Sequence, residues 1–581
     1  MIKLIKIHKW AILFAFLVGI IVSFPQIYFT YDHRDQYQGI YSSPTDNEVG
    51  YLARIQEVRD GHPGLGNPIG RDGKEDPYTQ SPLGEILIAY LGKIFFLDLN
   101  NTILLARFLF AFLGFLAVYG LIFLLLREKL TAISAATAVL LAKSLLARGS
   151  LIALLKGGTP ALFLDHYRPV QPMVSWLFFF GFLLFFWLFL ERKRWFFGVI
   201  SALILGLSFY VYPYTWSFLY AFCGALCLIF IFQKKWPDVK RIILVTLGGF
   251  FVAIPYFLNV YRSALHPYFT EVTRRYGLIE TREPILGFLV PGMFILFLLF
   301  FPKKWRERFI FCLALFIAPF IVLNQQLITG KDFHSGHYHW FVHQPLAIIF
   351  LVVMVLYQAR FWQEKLKLFK NVNISKILAY FIIGASLYVG IVIQTAFYKD
   401  SEKLILSYQR YGPIVEWFNA HAQKDEVILA EANTRLADIL VIYTPLNSFY
   451  TSLSCIYLSG SNERILSGLF LFYRLDGLRG EDAQNLFFQK QERYALSKNV
   501  FGIYYRDMLG DPTALPDQIM HSFVQKYKDF LLIPLNVFLK NNDVKYVVWD
   551  TQSFPKWQLD QYDFLDKVYE TGDFKIYQIN L

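Results

Sequence analysis

The stretch TDNEVGYLAR at 45–54 gathers two carboxylates, Asp46 and Glu48, a phenol, Tyr51, and a guanidinium, Arg54, within a few turns of chain. A carboxylate so placed can take a proton from a bound hydroxyl as a general base. The same letters have a purely structural reading: Thr45 and Glu48 spell a capping box, in which the two side chains satisfy free N–H groups at a helix start. Tyr51, Ile55 and Val58 continue at helical spacing, and Gly61 with Pro63 stops the run. Capping alone would account for the acidic pair, so the rest of the chain must decide.

Further groups able to do chemistry sit in three other polar stretches. DHYRPVQP at 165–172 offers Asp165, His166 and Arg168; a later stretch, NVYRSALHPYFTEVTRRYGLIETREP, carries Arg262, Arg274, Arg275 and Arg282. GKDFHSGHYHWFVHQP at 330–345 adds Lys331, His334, His337, Tyr338, His339 and His343. His339 and His343 have the i, i+4 spacing of zinc ligands on a helix, with Asp332 the nearby acid.

The elements that position these groups follow from composition. Of 581 residues, 55% are hydrophobic, 18% aromatic and only 17% charged, and the mean hydropathy is +0.40. That describes a polytopic α-helical membrane protein. Eleven apolar runs are long enough to be spans, near 10–30, 102–126, 131–147, 171–190, 195–212, 215–232, 242–260, 285–301, 309–325, 341–357 and 376–397. With the Lys-rich N-terminus inside, the inside connections are REK, ERKR, QKKWPDVKR, KKWRER and QARFWQEKLKLFK, all basic, as the positive-inside rule requires. The net charge of +12 is therefore a topology signal, and no nucleic-acid partner is expected. The first run lacks a small-residue cleavage site after VSFPQIY and reads as an uncleaved span. The segments 31–101, 148–170, 261–284, 326–340 and everything after about 398 then lie outside, together with nearly all the groups named above.

Three of the four cysteines, Cys223, Cys227 and Cys312, fall in predicted spans and read as packing residues; Cys455 is left without a partner for a disulfide. From about 401 the pattern changes. EVILAE, LVIYTP, FGIYYRD and VKYVVWD read as short buried strands, RYGPIVEWFNAHAQ and QIMHSFVQKYKDFL as amphipathic helices, and KVYETGDFKIYQI as a terminal hairpin. The expectation is two domains, a helical membrane domain over 1–398 and an extracytoplasmic α/β domain over 399–581. The latter has no glycine-rich phosphate fingerprint.

An inside N-terminus, an acidic motif directly after the first span, the Pro-containing continuation DPYTQSPLGEIL at 76–87, many spans and a C-terminal external domain together resemble the GT-C superfamily of membrane glycosyltransferases. The pattern is similar to that of the oligosaccharyltransferases, protein O-mannosyltransferases and aminoarabinose transferases, and above all to bacterial relatives of the mannosyltransferase-like group. The matching residues are Asp46, Glu48 and Tyr51, with Gly61 ending the helix; Asn47 stands where many relatives have a second acid. The resemblance implies transfer of a sugar from a polyprenyl-phosphate donor to a glycan, lipid or protein acceptor outside the cytoplasmic (inner) membrane, with Asp46 or Glu48 as base.

Such a reaction needs one carboxylate for the acceptor's proton and positive charge for the departing phosphate. The resemblance places a second functional acid in the next external loop, where Asp165 stands. Tyr51, Arg54, His166, Arg168, Arg262, Lys331, His337 and Tyr338 are the candidate substrate-binding residues. A divalent cation (Mg or Mn), held at Asp46 or Asp165, is the alternative way to neutralise the phosphate. Against these stand the ordinary roles: arginines as interfacial anchors, and the tyrosines, including those of YVYPYTW at 210–216, as an aromatic belt among the membrane lipids. Two other classes share the topology. A transporter or flippase of lipid-linked envelope precursors would carry charge in mid-span or paired broken helices, whereas here only Arg107 and Lys143 interrupt the runs, near span ends. A non-catalytic envelope scaffold is the third.

Overall fold

A computed structural model describes residues 2–45, 48–168, 170–302, 305–366, 372–432, 435–451, 453–502 and 515–580. Each of the eleven predicted apolar runs falls on a helix. Seven of these helices are long and apolar enough to cross a membrane. The first is α1 (Ile2–Asp32), bent at His8 and carrying Pro25 inside it. Between it and the second long helix come two short ones, α2 (Glu48–Arg59) and α3 (Leu83–Ile94). Next is α4 (Leu99–Leu126), started by Asp98, whose carboxylate accepts the Asn101 N–H, and ended by Arg127 in the left-handed region at φ 60°. Then come α5 (Lys129–Leu141), α6 (Met173–Arg192), α7 (Trp195–Leu207), α8 (Pro213–Phe232) and α9 (Trp236–Val252). The remaining helices of this part are α10 (Ile254–Ala264), α11 (Leu289–Phe300), α12 (Arg306–Leu323), α13 (Gln344–Leu366) and α14 (Ile374–Ser407).

Three of the predicted runs, at α5, α7 and α11, fold as shorter apolar helices. Several boundaries differ from expectation: 195–212 stops being α-helical at Leu207, and the helices over 341–357 and 376–397 run on to Leu366 and Ser407. The run 131–147 stops being α-helical at Leu141, and Lys143 lies in a separate 3-10 turn, Lys143–Leu146. The run 242–260 is not one straight helix: α9 and α10 meet at 52°. Pro255, in the first turn of α10, removes a backbone donor and sterically disfavours continuation.

The bundle core is built from small and aromatic residues: Ala132, Ala135 and Ala136 of α5 let neighbouring helices approach, and Phe179, Phe182 and Phe186 of α6 fill the space between α4 and α8. Two loops that the sequence separates are joined by a short antiparallel pair, β1 (Leu278–Glu280) with β2 (Lys331–Phe333), in the register Ile279 opposite Asp332.

The C-terminal segment is an α/β arrangement. Among the described residues its five strands are β3 (Val427–Leu429), β4 (Asn447–Ser448), β5 (Val544–Asp550), β6 (Leu565–Thr571) and β7 (Phe574–Ile579), in the order β4-β3-β5-β7-β6. The first two pairings are parallel and the last two antiparallel. Strand β5 is covered on both faces: Tyr546 and Val548 pack with Tyr408, Ile414 and Phe418, while Val547 and Trp549 join Ile465, Phe470 and Tyr527. The amphipathic stretches fold as α15 (Gly412–His421) and α17 (Asp517–Leu531), and the terminal hairpin is present. LVIYTP is not a strand. It is the end of α16 (Leu436–Tyr443), in which every residue from Leu436 to Ile442 is buried. A segment apolar on all sides shows no period by which helix and strand can be told apart, and the neighbouring sheet edge is taken by β4 instead. Of FGIYYRD, residues 503–507 lie outside the described residues.

Candidate active site

The chain leaving α1 is tied to the far end of the molecule before it reaches α2. The Gln38 N–H donates to Gln409 Oε1 at 2.9 Å, and Gln409 Nε2 donates to the Ile40 carbonyl at 2.7 Å. The Tyr443 hydroxyl, from α16, accepts the Tyr41 N–H at 3.0 Å and donates to the Tyr41 carbonyl at 2.8 Å. At the other end of α2, Gly61 takes φ 103°, a conformation open to glycine, and lets the chain turn away.

Glu48 is the first residue of α2 and is 1% exposed. Its carboxylate receives four donors: the Ser43 N–H at 3.1 Å, the Thr45 hydroxyl at 2.8 Å, Arg107 Nη2 at 3.0 Å and the Ser43 hydroxyl. The capping box therefore forms in altered shape. The carboxylate reaches back to the N–H of Ser43 rather than to that of Thr45, the cap residue of the motif, and the Thr45 hydroxyl serves the carboxylate rather than the helix. Asp46 and Asn47 lie outside the described residues.

Arg107, in the third turn of α4, is 0% exposed and fully engaged. Besides Glu48 it donates from Nε to the Tyr167 carbonyl at 2.8 Å and from Nη1 to Gln26 Oε1 at 2.5 Å, and its guanidinium lies 3.9 Å from the centre of the Tyr167 ring. The Tyr167 hydroxyl meets that of Tyr41 at 2.5 Å. Four parts of the chain, α1, the loop before α2, α4 and the 165–172 loop, are thus joined through one buried ion pair. A carboxylate with four donors has its lone pairs taken, so Glu48 holds this junction together.

A second buried pair sits further along α2. Arg54 Nε donates to Glu85 Oε1 of α3 at 2.6 Å, and Arg54 Nη2 to the Gln80 carbonyl at 3.0 Å. The DPYTQSP continuation is thereby fixed from one side. From the other, Asn259 of α10 brackets Tyr78 with hydrogen bonds of 3.2 and 3.0 Å.

Tyr51, between the two pairs, lies beside Arg168 and Glu85. Burial raises the pKa of its hydroxyl, with the Arg168 charge pulling the other way. Arg168 also stands 5.9 Å from the Phe341 ring, acts on the charge of His337, and has a buried Nε that makes no hydrogen bond among the described residues. His337 in turn meets the Tyr212 hydroxyl through Nδ1 at 2.5 Å and packs against His334 and Trp340. Asp165 is ion-paired to Lys143, whose ammonium also donates to the Trp340 carbonyl at 2.8 Å. Tyr51, Arg168 and His337 are therefore neighbours in one cationic and aromatic wall, with the Lys143–Asp165 pair at its Trp340 edge.

The other expected residues are placed differently. His166 is 1% exposed, turned edge-on to Trp176 at 4.4 Å, and burial lowers its pKa to about 4, so it is neutral and faces the bundle interior. Arg262 is exposed on α10 and Lys331 is exposed on β2; neither takes part in the contacts above. The Tyr338 hydroxyl pairs with Ser217 at 2.7 Å. Arg275 and Arg282 are structural: Arg275 donates to the carbonyls of Val500 and Cys455 at 2.9 and 3.0 Å, and Arg282 to that of Leu327 at 2.7 Å.

The zinc spacing of His339 and His343 does not materialise. Residues 339–343 form a π turn, and no group of three described His, Cys, Asp or Glu residues includes either histidine. Asp165 belongs to no such group either. Nor are the tyrosines of YVYPYTW only a belt, since Tyr212 holds His337 and the Tyr214 hydroxyl donates to the Phe333 carbonyl at 2.8 Å. Arg107, Glu85 and Gln26 were absent from the expected site. The available signal was Arg107 itself, the lone charge inside an apolar run, which by default calls for a buried partner.

No family model matches the chain, and no curated protein matches it in sequence. Among solved structures it is similar to ArnT from Cupriavidus metallidurans bound to undecaprenyl phosphate, at 13% identity and a TM-score of 0.46 over 98% of each chain. The apo state of the same ArnT matches at 13% identity and a TM-score of 0.45, over 95% of this chain and 97% of that one. An Archaeoglobus fulgidus oligosaccharyltransferase, tethered with an acceptor peptide containing the NVT sequon, matches at 12% identity and a TM-score of 0.43, over 99% of this chain and 74% of that one.

Proposed function

We propose that the protein is a GT-C-type membrane glycosyltransferase, inverting at the transferred sugar, that moves a sugar from a polyprenyl-phosphate donor to a glycan, lipid or protein acceptor on the extracytoplasmic side of the inner membrane. The observation that carries the reading is the Glu48–Arg107 junction. A surface cap has no need of a fully buried ion pair tying it to three other parts of the chain; a base that must meet a reacting hydroxyl does. In this reading Asp46, two residues before the locked Glu48, is the base.

The step balances simply. The acceptor oxygen attacks the anomeric carbon as its proton passes to the Asp46 carboxylate, and the bond from that carbon to the phosphate oxygen breaks. The polyprenyl phosphate leaves as an anion, so no acid is needed on that side. Arg168, with Tyr51 and His337 beside it, meets the phosphate; its buried, unpaired Nε is a donor waiting for an acceptor. Lys143 and Asp165 flank this wall as an ion pair. A divalent cation at Asp165 would have to displace the Lys143 ammonium, so no step is routed through one.

The reading also divides the chain at about 398, with the helical part in the membrane and the α/β part outside. The bent α9–α10 pair and the buried Arg107 are features that a flippase of lipid-linked precursors would share. One experiment separates the two. The purified protein in proteoliposomes, given a polyprenyl-phosphate sugar and envelope acceptors, should release free polyprenyl phosphate and yield a glycosylated product by mass spectrometry. Movement of intact donor across the bilayer without cleavage would replace this reading with the transporter.

A further inference from the structure

A cluster away from the Glu48 junction brings together three side chains that could each offer a ligand atom to a metal. Asp32 ends α1, His33 follows it, and Glu402 projects from α14 beyond the predicted end of its span. The ligand atoms of the three side chains all lie within 4.8 Å of one another. His33 Nε2 stands 2.9 Å from Glu402 Oε1 and 3.9 Å from Asp32 Oδ2. Ligands held tetrahedrally at about 2.0–2.1 Å from zinc are about 3.3 Å apart, midway between these two values.

We propose that Asp32, His33 and Glu402 form a divalent-cation site, of zinc-like preference, that staples the end of α1 to α14. An ordinary His–Glu ion pair accounts for the contact of 2.9 Å and leaves a second carboxylate 3.9 Å from the same nitrogen. Among the described residues neither carboxylate is ion-paired to a Lys or Arg, so two negative charges face one imidazole. That donor set of one nitrogen and two carboxylate oxygens suits zinc or manganese, and the imidazole favours zinc. The outer shell is present as well: the Tyr398 hydroxyl donates to Asp32 Oδ2 at 2.6 Å and fixes that carboxylate. Asp32 and Glu402 are partly exposed, so an ion can enter and water can complete its coordination.

The site stands at the root of the loop that runs through Gln38, Ile40 and Tyr41 to Glu48. An ion there fixes where that loop leaves the bundle, whatever reaction the loop serves. The test uses full-length protein in detergent, stripped with a chelator and titrated with zinc. The expected result is one more zinc per chain in the wild type than in His33→Ala or Glu402→Gln, by elemental analysis, with a zinc-dependent rise in melting temperature that both variants lose. Tyr398→Phe should bind roughly tenfold more weakly, as for a lost outer-shell contact. His62→Ala, which breaks a separate His–Asp pair with Asp425, should bind as the wild type does. Equal zinc content in wild type, His33→Ala and Glu402→Gln, or no zinc-dependent stabilisation of the wild type, would overturn the proposal. Neither readout depends on sugar transfer.

Discussion

Helix α2 is held at its start and again at its middle by buried arginine–glutamate pairs that are built differently. Glu48–Arg107 is complete: the carboxylate has four donors, and the guanidinium meets a carboxylate, an amide oxygen, a carbonyl and an aromatic face. Arg54–Glu85 is equally buried, yet Arg54 Nη1 and Glu85 Oε2 make no hydrogen bond. Burial of a charge pair by itself says little about role, since desolvation offsets most of the attraction. Completeness says more. The first pair ties Ser43 and Thr45 to the start of α2 and to α4, and its tolerance for change should be the lowest in the region.

The most direct way to break the comparison is to remove one partner of the complete pair. Glu48→Ala or Arg107→Ala leaves the other charge buried and alone, at a cost of about 3–5 kcal/mol, read as a fall in melting temperature. The matched change at the second pair, Glu85→Ala, should cost less, toward the lower end of that range, because the pair is incomplete from the start and Arg54 keeps the Gln80 carbonyl. Equal losses would mean that completeness carries no weight.

His166 sharpens the contrast, because it is as buried as the pairs but its Nε2 has no partner. Its pKa falls from 6.5 to about 4 on folding, by burial. The unfolded chain therefore binds this proton at a higher pH than the folded one. The contribution to stability is intact above about 6.5 and is lost as pH falls toward 4, to a total of about 3 kcal/mol at 1.36 kcal/mol per unit. His166→Leu should flatten that part of the stability–pH profile, and an unchanged profile would refute the burial.

The wall of basic groups gives the smallest of these effects and tests which charges matter. Arg168→Gln should weaken use of the lipid donor by about 1.5–3 kcal/mol, seen as a raised KM with insertion and abundance unchanged. Arg262→Gln and Lys331→Gln, both exposed and outside the wall, should stay near wild type. A uniform loss across the three would return all of them to general attraction for an anionic surface.

Much of this was legible in the sequence, for identifiable reasons. Apolar runs of span length, the stop at Gly61 and the hairpin at KVYETGDFKIYQI rest on local composition and turn chemistry, and they fold where expected. What was not legible depends on partners far along the chain. Arg107 lies 59 residues from Glu48, and no local pattern shows that they meet. Arg54 and His166 look like free ligands in a polar loop until Glu85 and Trp176 close over them. LVIYTP failed for a different reason, because a segment buried on every side has no period to read.

The central claim is that Glu48 positions and Asp46 reacts, and one measurement addresses it most directly: the rate of sugar transfer per folded molecule in Asp46→Asn and Glu48→Gln, with melting temperatures taken on the same samples. The account predicts that Asp46→Asn melts like the wild type and loses roughly a hundredfold or more in kcat, as for a lost general base. Glu48→Gln should melt well below the wild type, because it strands the Arg107 charge, while its folded fraction keeps transfer within about tenfold, a loss of about 1.4 kcal/mol. Wild-type stability with abolished transfer in Glu48→Gln, alongside an active Asp46→Asn, would contradict it.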